Sequence, residues 1–306
     1  MSKLRFPAYG GQALIEGVLM RGTTTVAAAM RTPDGKIEVQ TEKLSGIYRS
    51  GLRKVPFLRG LIILWDALVL GTHFLTISAN VQSGEDEKIE GPALYATLAV
   101  SLIIGLGLFV VMPSALGSWI ESLTHLNLGW VNLIEGIIRL VVAIGYIWLI
   151  GRMPEVNRVF AYHGAEHKTI NAFEAGADLT PEVVKKYSVE HPRCGTGFLL
   201  TVVLFSILLF SPLRPLAFWI RVPLQLGLIP IIACLAYEYM RWTADHLHYG
   251  WVRILISPNL SLQHLTTREP TLEMLEVSIA SFNAMIAMEE ETVTPVKERV
   301  LEPQNA

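Results

Sequence analysis

Two long apolar runs constrain the fold of this chain more than any other feature. Residues 93–112 and 131–150 each match the roughly 20 apolar residues that a transmembrane helix requires. Of the 306 residues, 51% are hydrophobic and only 17% are charged, a composition too apolar for an ordinary soluble domain. The sequence therefore predicts a mainly α-helical, polytopic membrane protein.

Two further segments bring the expected number of transmembrane helices to about four. Residues 197–211 are apolar but short for a bilayer. Residues 216–240 are interrupted by Arg221 and Pro223, so this span is expected to begin after the proline. Segment 61–80 carries polar side chains and follows several basic residues. It is predicted to be an interfacial amphipathic helix, with a fifth span as the alternative.

The distribution of lysine and arginine predicts the orientation of the spans. Basic residues are frequent before residue 60, within 151–196 and after residue 240, whereas 114–130 contains none. Four spans with both termini in the cytoplasm satisfy the positive-inside rule. The first 30 residues lack the apolar core of a cleavable signal peptide. Membrane lipids are the expected partners, and no basic cluster is dense enough to predict nucleic-acid binding.

Local signals predict the elements around the spans. Asp34-Gly35 supplies turn chemistry between two extended arms, which predicts a β-hairpin over 26–40. A helix is expected from Pro154 until Gly176 stops it, and the polar residues 289–306 are expected to be disordered. The predicted parts are residues 1–60 (N-terminal cytoplasmic element), 61–80 (interfacial helix), 93–150 (first transmembrane pair), 151–196 (cytoplasmic His/Cys loop), 197–240 (second transmembrane pair) and 241–306 (cytoplasmic C-terminal helices and tail).

The run 163–167, His-Gly-Ala-Glu-His, carries the strongest chemical signal. Read as H-x-x-E-H, it is the inverted zinc-protease pattern. Residues i and i+4 share a helix face, so His163 and His167 can ligate one metal ion. Glu166 lies between them, close enough to take a proton from metal-bound water. The run therefore predicts a divalent metal site, most simply zinc, with Glu166 as the catalytic base.

Two sets of residues compete to complete the metal shell. His191 and Cys194 would close a tetrahedral site of three nitrogens and one sulfur, which is typical of structural zinc. Glu238 would instead leave the fourth position to water, the catalytic arrangement. An open site favours a metal-dependent hydrolase, and a closed one favours a non-catalytic scaffold or assembly factor. Cys234 lies in the last span, and no disulfide with Cys194 is expected.

Other charged residues leave alternatives open. Glu135 lies inside a predicted span, where a carboxylate is costly unless it is paired or hydrated. Arg139 could neutralise it near the interface, whereas a transporter would use Glu135 as an intramembrane group. Arg241, Asp245 and His248 share a helix face and could bind an anionic headgroup or phosphate. A simple salt bridge between Arg241 and Asp245 is the alternative.

Three blocks of sequence resemble a known family. They are GGQALIEGVLMR at 10–21, YHGAEHK at 162–168 and HPRCGT at 191–196. In this order, over roughly 8–285, the chain is similar to the YqhQ-like family of bacterial membrane proteins, the domain of unknown function 1385. The resemblance implies a multi-pass protein of the bacterial inner membrane and a metal-dependent enzyme. It implies a candidate site at His163, Glu166, His167, His191 and Cys194, and it implies no substrate.

Overall fold

The computed structural model describes residues 9–44, 55–83, 91–124 and 126–301. Within these residues the chain is mainly helical and has one small sheet, as predicted. The strands are β1 (Gly10–Leu14), β2 (Gly17–Arg21), β3 (Thr25–Arg31) and β4 (Ile37–Lys43). The helices are α1 (Leu58–Gln82), α2 (Pro92–Leu106), α3 (Met112–Thr124), α4 (Leu128–Ile150), α5 (Pro154–Glu174), α6 (Pro181–Val184), α7 (Gly195–Phe210), α8 (Phe218–Asp245), α9 (Gly250–Thr266) and α10 (Leu272–Leu301).

The four strands form an antiparallel meander in chain order. The predicted hairpin is confirmed as β3 and β4, whose turn places Gly35 at φ +85°. The Gly35 N–H donates to the Thr32 carbonyl oxygen at 2.9 Å. The sequence analysis does not predict β1 and β2. These strands join through a two-residue turn, in which Glu16 adopts φ +51° before β2 begins at Gly17.

Helices cover both faces of this sheet. On one face Val26 and Met30 pack with Phe74 of α1. On the other face Ala27 and Ala29 belong to a core shared with α5 and α10. Successive side chains of a strand point to opposite faces, so β3 is apolar on both. The sheet is therefore an internal layer that connects α1 to the two helices on the opposite face.

Four helical stretches are long and apolar enough to cross a membrane, which confirms the predicted number. α1 is not among them. An even number of crossings returns the chain to its starting side. The sheet, α5, α6 and α10 therefore lie on one side of the membrane. The stretches are Pro92–Thr124, Leu128–Ile150, Gly195–Leu213 and Phe218–Asp245.

The first span is longer than the apolar run 93–112. A π-helical segment at Gly107–Val111 joins α2 to α3, and the helix continues to Thr124. Pro113 has no N–H to donate to the Phe109 carbonyl oxygen four residues earlier. Arg139 of α4 donates its Nε to that oxygen instead, at 3.3 Å. A neighbouring span thus supplies a donor to this carbonyl oxygen.

A buried network of polar side chains joins the spans. The Glu135 carboxylate accepts from Arg139 at 3.1 Å, from Ser114 at 2.8 Å and from Arg214 in a close ion pair. The Ser114 hydroxyl also lies 2.9 Å from Gln225 Oε1, which brings in the fourth span. The predicted Glu135–Arg139 pair is confirmed. Both side chains are buried within the helix bundle.

Two helices follow the last span. The sequence analysis does not predict α9, which packs against α7. α10 continues to Leu301, so the expectation of disorder is wrong for residues 289–301. Residues 302–306 lie outside the described part. Glu289 is buried, and its carboxylate accepts from the Thr23 hydroxyl at 2.7 Å and the Thr24 N–H at 2.8 Å.

Candidate metal centre

Helix α5 carries the H-x-x-E-H run between the ends that the sequence predicts. Pro154 occupies the first turn, where its missing N–H costs nothing. After the helix, Gly176 adopts φ +71°, and the N–H groups of residues 176 and 177 donate back to the carbonyl oxygens of residues 173 and 172. This is a Schellman C-cap, which favours glycine. His163 and His167 are therefore fixed one helical turn apart.

Backbone carbonyl groups orient both imidazoles. The His163 Nδ1 donates to the Thr266 carbonyl oxygen at 2.9 Å, and the His167 Nδ1 donates to that of Val189 at 2.5 Å. A carbonyl oxygen can only accept, so each Nδ1 carries a proton, and in the neutral imidazole the lone pair then lies on Nε2. Both Nε2 atoms are thus free to ligate. A carbonyl acceptor behind the ring is common for metal-binding histidines.

The same helix also fixes the loop that supplies one of these carbonyl groups. Lys168 is buried, and its Nζ donates to two loop carbonyl oxygens at 2.7 Å each. Asn171 donates its Nδ2 to two more, at 2.9 and 3.0 Å. These contacts hold the loop before His191 against α5. The four acceptors belong to Lys185, Tyr187, Ser188 and Glu190.

Cys194 joins the two histidines at the start of α7. Its Sγ accepts from the Thr196 N–H at 3.4 Å as the N-cap of the helix. The same sulfur lies 3.3 Å from Nε2 of His163. The ligand atoms of His163, His167 and Cys194 all lie within 4.8 Å of one another. The structure therefore brings together three of the five predicted metal ligands.

This donor set suits a zinc ion. In a tetrahedral site with Zn–N of about 2.0–2.1 Å and Zn–S of about 2.3 Å, neighbouring ligand atoms lie roughly 3.3–3.6 Å apart. The separations below 4.8 Å can reach this range through small side-chain rotations. Two imidazoles and one sulfur also leave a fourth position, which water occupies in catalytic sites.

Glu166 is buried beside the histidines. Its Oε2 lies 3.9 Å from Nε2 of His163, and its carboxylate accepts from the Gly11 N–H. Burial raises the pKa of Glu166 to about 7, although His163 and the Gly11 N–H both act to lower it. A Cβ atom on Gly11 would lie 2.4 Å from the Leu19 carbonyl oxygen and 2.9 Å from Cγ of Glu166. Glycine at this position therefore makes room for the carboxylate.

The structure does not bring His191 or Glu238 into this group. The His191 ring lies 5.7 Å from that of His167, centroid to centroid. Its Nε2 is buried with no hydrogen-bond partner among the described residues, and the nearest Glu174 oxygen is 3.7 Å away. Burial lowers the pKa of His191. The Glu238 carboxylate instead forms an ion pair with Arg59, whose Nε donates at 2.6 Å.

A cavity of about 550 Å³ opens onto the three ligands and Glu166. We call it the site cavity. One wall is the Gly10-Gly11-Gln12 segment of β1, which the sequence analysis does not assign to the site. A Cβ on Gly71 of α1 would lie 2.3 Å from Oε1 of Gln12, so α1 approaches this wall closely. Arg21 and Arg193 contribute positive charge to the lining.

The fold and this site define a class of protein. It is a polytopic membrane protein whose membrane-proximal body gathers histidine, cysteine and glutamate around a cavity. The sequence model of a family described as "Protein of unknown function (DUF1385)" matches residues 55–288. The chain belongs to this family, as the resemblance implies.

One curated relative agrees with this assignment. The chain is 34% identical over 307 residues to the "Uncharacterized protein YqhQ" of Bacillus subtilis (strain 168). The match covers 94% of this chain and 96% of that protein. No solved structure matches the chain.

Proposed function

We propose that this protein is a hydrolase of the bacterial cytoplasmic membrane that depends on a divalent metal ion, most simply zinc. His163, His167 and Cys194 hold the ion, and Glu166 is the general base. One observation carries the proposal: three correctly oriented donor atoms lie within 4.8 Å of one another. A buried carboxylate and an open cavity adjoin them.

The residues of this chain have defined tasks in such a reaction. A bound divalent ion supplies water of lowered pKa and polarises the scissile group. Glu166 accepts a proton from the attacking water while the water oxygen bonds to the electrophilic carbon or phosphorus of the substrate. The bond to the leaving group breaks, and Glu166 returns the proton to the departing oxygen or nitrogen. The Gly11 N–H keeps the carboxylate in position.

The distribution of charge supports a site that faces the cytoplasm. If the four candidate spans all cross, the sheet, α5 and α10 lie on the same side. The basic residues outside the spans are concentrated on that side, in the N-terminal element and in the loop between α4 and α7. The positive-inside rule assigns this side to the cytoplasm.

Metal analysis of detergent-purified protein tests the proposal. We expect about one zinc per chain in wild type and none in the His163→Ala, His167→Ala double variant. Glu166→Gln should keep the metal, because Glu166 is a base and not a ligand. If gently purified wild type, prepared without chelator, carries no stoichiometric metal and gains none from added zinc, the proposal fails.

A second pair of measurements separates the hydrolase from a scaffold with a structural metal. In the hydrolase, His191→Ala retains zinc, and the zinc-loaded protein cleaves a chromogenic phosphate or acyl ester. Glu166→Gln then loses about 10²- to 10⁴-fold in rate without losing zinc. If zinc retention requires His191 as well, the buried Nε2 of that residue closes the shell and the scaffold is favoured.

A further inference from the structure

A second cavity, of about 650 Å³, lies between α1, α7 and α8. We call it the boundary cavity. It shares Arg193, Gly195 and Tyr237 with the site cavity, so the two are contiguous. The rest of its lining is largely apolar and includes Leu64, Phe198, Met240 and Ala244.

This second cavity lies at the membrane boundary. Gly195 and Phe198 belong to the first turn of a candidate span that begins at Gly195. Met240 and Ala244 belong to the last turns of a candidate span that ends at Asp245. The start of α7 and the end of α8 therefore lie on the same side of the membrane, next to the metal centre. A cavity at this end of the spans lies near the expected membrane surface and adjoins the site cavity.

Apolar and aromatic side chains continue this surface outward. α1 exposes Leu61, Trp65 and Leu68. Several large apolar side chains exposed on one helix are unusual when only water surrounds the helix. Trp242 and Trp251 are exposed where α8 meets α9, with ring centroids 5.5 Å apart. Tryptophan is enriched at the level of lipid headgroups. Side chains suited to contact with lipid therefore occur on α1 and α8, two of the helices that line the boundary cavity, and on the adjoining α9.

The charged side chains that line the boundary cavity include more cations than anions. Arg241 and Arg193 both line it, and Asp245 is the one carboxylate among its lining residues. Arg193 forms a close ion pair with Glu174, whereas no ion pair joins Arg241 to Asp245 among the described residues. The salt bridge considered in the sequence analysis is therefore not formed. Arg241 is exposed at the membrane boundary, where a guanidinium group attracts phosphate.

We propose that the boundary cavity binds a membrane lipid with a phosphate-bearing anionic headgroup. The acyl part lies against Leu64, Phe198 and Met240, and Arg241 contacts the phosphate. The shared opening at Gly195 leads the headgroup to the site cavity. A phospholipid-like amphiphile is thus the substrate class of the centre, a step that rests on the hydrolase proposed above. Lipid binding itself does not depend on the metal.

The test is lipid retention by the full-length protein in neutral detergent, measured by native mass spectrometry. The probes are phosphatidylglycerol, phosphatidylcholine and glycerol phosphate. We expect phosphatidylglycerol to be retained over phosphatidylcholine, with glycerol phosphate bound far more weakly. Arg241→Gln should lower retention about five-fold, and Arg241→Lys should restore much of it. Ala244→Trp should abolish retention by filling the cavity.

Arg152→Gln is the matched control, since Arg152 is exposed at the end of α4 and lines neither cavity. It should retain phosphatidylglycerol as wild type does, and thermal unfolding verifies that each variant is folded. Equal retention by Arg241→Gln, Ala244→Trp and wild type overturns the proposal. Equal binding of glycerol phosphate overturns it too, because the acyl chains would then contribute nothing. If His163→Ala retains the lipid but wild type binds no zinc, the lipid site stands and the hydrolase fails.

Discussion

Cys194 Sγ lies 3.3 Å from Nε2 of His163, although 31 positions separate the two residues in the chain. The contact forms because the N-terminal end of α7 packs against the side of α5. α7 begins at the cysteine, and α5 presents the imidazole from its middle. This arrangement makes Cys194 the residue on which the properties of the centre depend most directly.

Substitution of the two cysteines should have different effects on zinc. We expect Cys194→Ser to weaken zinc affinity by more than about 100-fold, because changes behind the ligands alone cost about 10- to 100-fold. Cys234→Ser is the matched control, since Cys234 lies in α8 and is not part of the group. Competition with a chromogenic chelator measures both affinities. Equal affinities in the two variants would exclude Cys194 as a ligand.

Two adjacent glycines should respond differently to alanine. A Cβ on Gly11 would lie 2.4 Å from the Leu19 carbonyl oxygen, whereas a Cβ on Gly10 meets nothing within 4 Å. Gly11→Ala should destabilise the protein by about 1–3 kcal/mol and should also displace the Glu166 carboxylate. Gly10→Ala should change the free energy of unfolding by less than about 0.5 kcal/mol. Thermal unfolding in detergent measures the stability of the two variants. Similar losses of stability would contradict the close approach of β1 to α5.

The Glu16–Arg158 pair should make stability depend on pH. Arg158 lowers the pKa of the Glu16 carboxyl in the folded protein. The folded state therefore binds fewer protons, so the stabilisation is present above the unfolded pKa and is lost as pH falls through the folded pKa. Glu16→Gln should unfold at a lower temperature than wild type at pH 7, by an amount that shrinks below about pH 4.5.

A second glutamate, whose hydrogen-bond partner is uncharged, serves as the control for this pH dependence. Exposed Glu38, which accepts a hydrogen bond from the neutral Gln40, should give no such trend when changed to Gln. Arg158 is partly exposed, so the effect should be about 0.2–1 kcal/mol. A difference between Glu16→Gln and wild type that stays constant from pH 7 to pH 4 would show that the ion pair contributes nothing.

Glu289 should stabilise the turn between β2 and β3 through its charge. Its carboxylate accepts from the Thr23 hydroxyl and the N–H groups of Thr23 and Thr24. Glu289→Gln replaces a charged acceptor with a neutral one and so weakens these bonds, which should cost about 1–1.5 kcal/mol. Exposed Glu291→Gln, two positions further along α10, should cost less than about 0.5 kcal/mol. Thermal unfolding of the two variants measures both losses of stability. Equal losses would show that the Glu289 charge does not stabilise the turn.

A double-mutant cycle tests the link between Arg139 and the proline of the first span. Arg139→Gln removes the donor to the Phe109 carbonyl oxygen, and Pro113→Ala supplies a helical N–H in its place. Pro113→Ala should therefore stabilise the Arg139→Gln background more than the wild-type background, by about 1–2 kcal/mol. Unfolding in mixed detergent micelles provides the four free energies. Additive effects, within about 0.3 kcal/mol, would exclude the link.

Local sequence signals were sufficient to predict several elements. The spans follow from the length of apolar runs, the hairpin from Asp34-Gly35, and the limits of α5 from Pro154 and Gly176. His163 and His167 are brought together by helix periodicity alone. Each of these features depends on residues close to one another in the chain. They could therefore be predicted without knowledge of tertiary contacts.

The remaining features depend on distant contacts. β1 and β2 lack polar alternation because helices cover both faces of the sheet, so their pattern does not indicate a half-buried strand. The Glu238 carboxylate is held by an ion pair with Arg59, which is 179 positions away in the chain. Ser114 and Gln225, from two other spans, and Arg214, just after the third span, meet around Glu135. A sequence contains no local signal for such pairings.

The packing of α10 against β3 has a consequence for biosynthesis. Ser281 donates its hydroxyl to the Ala27 carbonyl oxygen at 2.9 Å, and Glu289 holds the next turn. Roughly 250 residues therefore follow the last strand before the helix that covers its sheet has emerged. At about 5–20 residues per second, that interval is roughly 12–50 s. During this time the apolar face of the strand stays uncovered on the ribosome-bound chain, and the sheet is covered only after all four candidate spans have been synthesised.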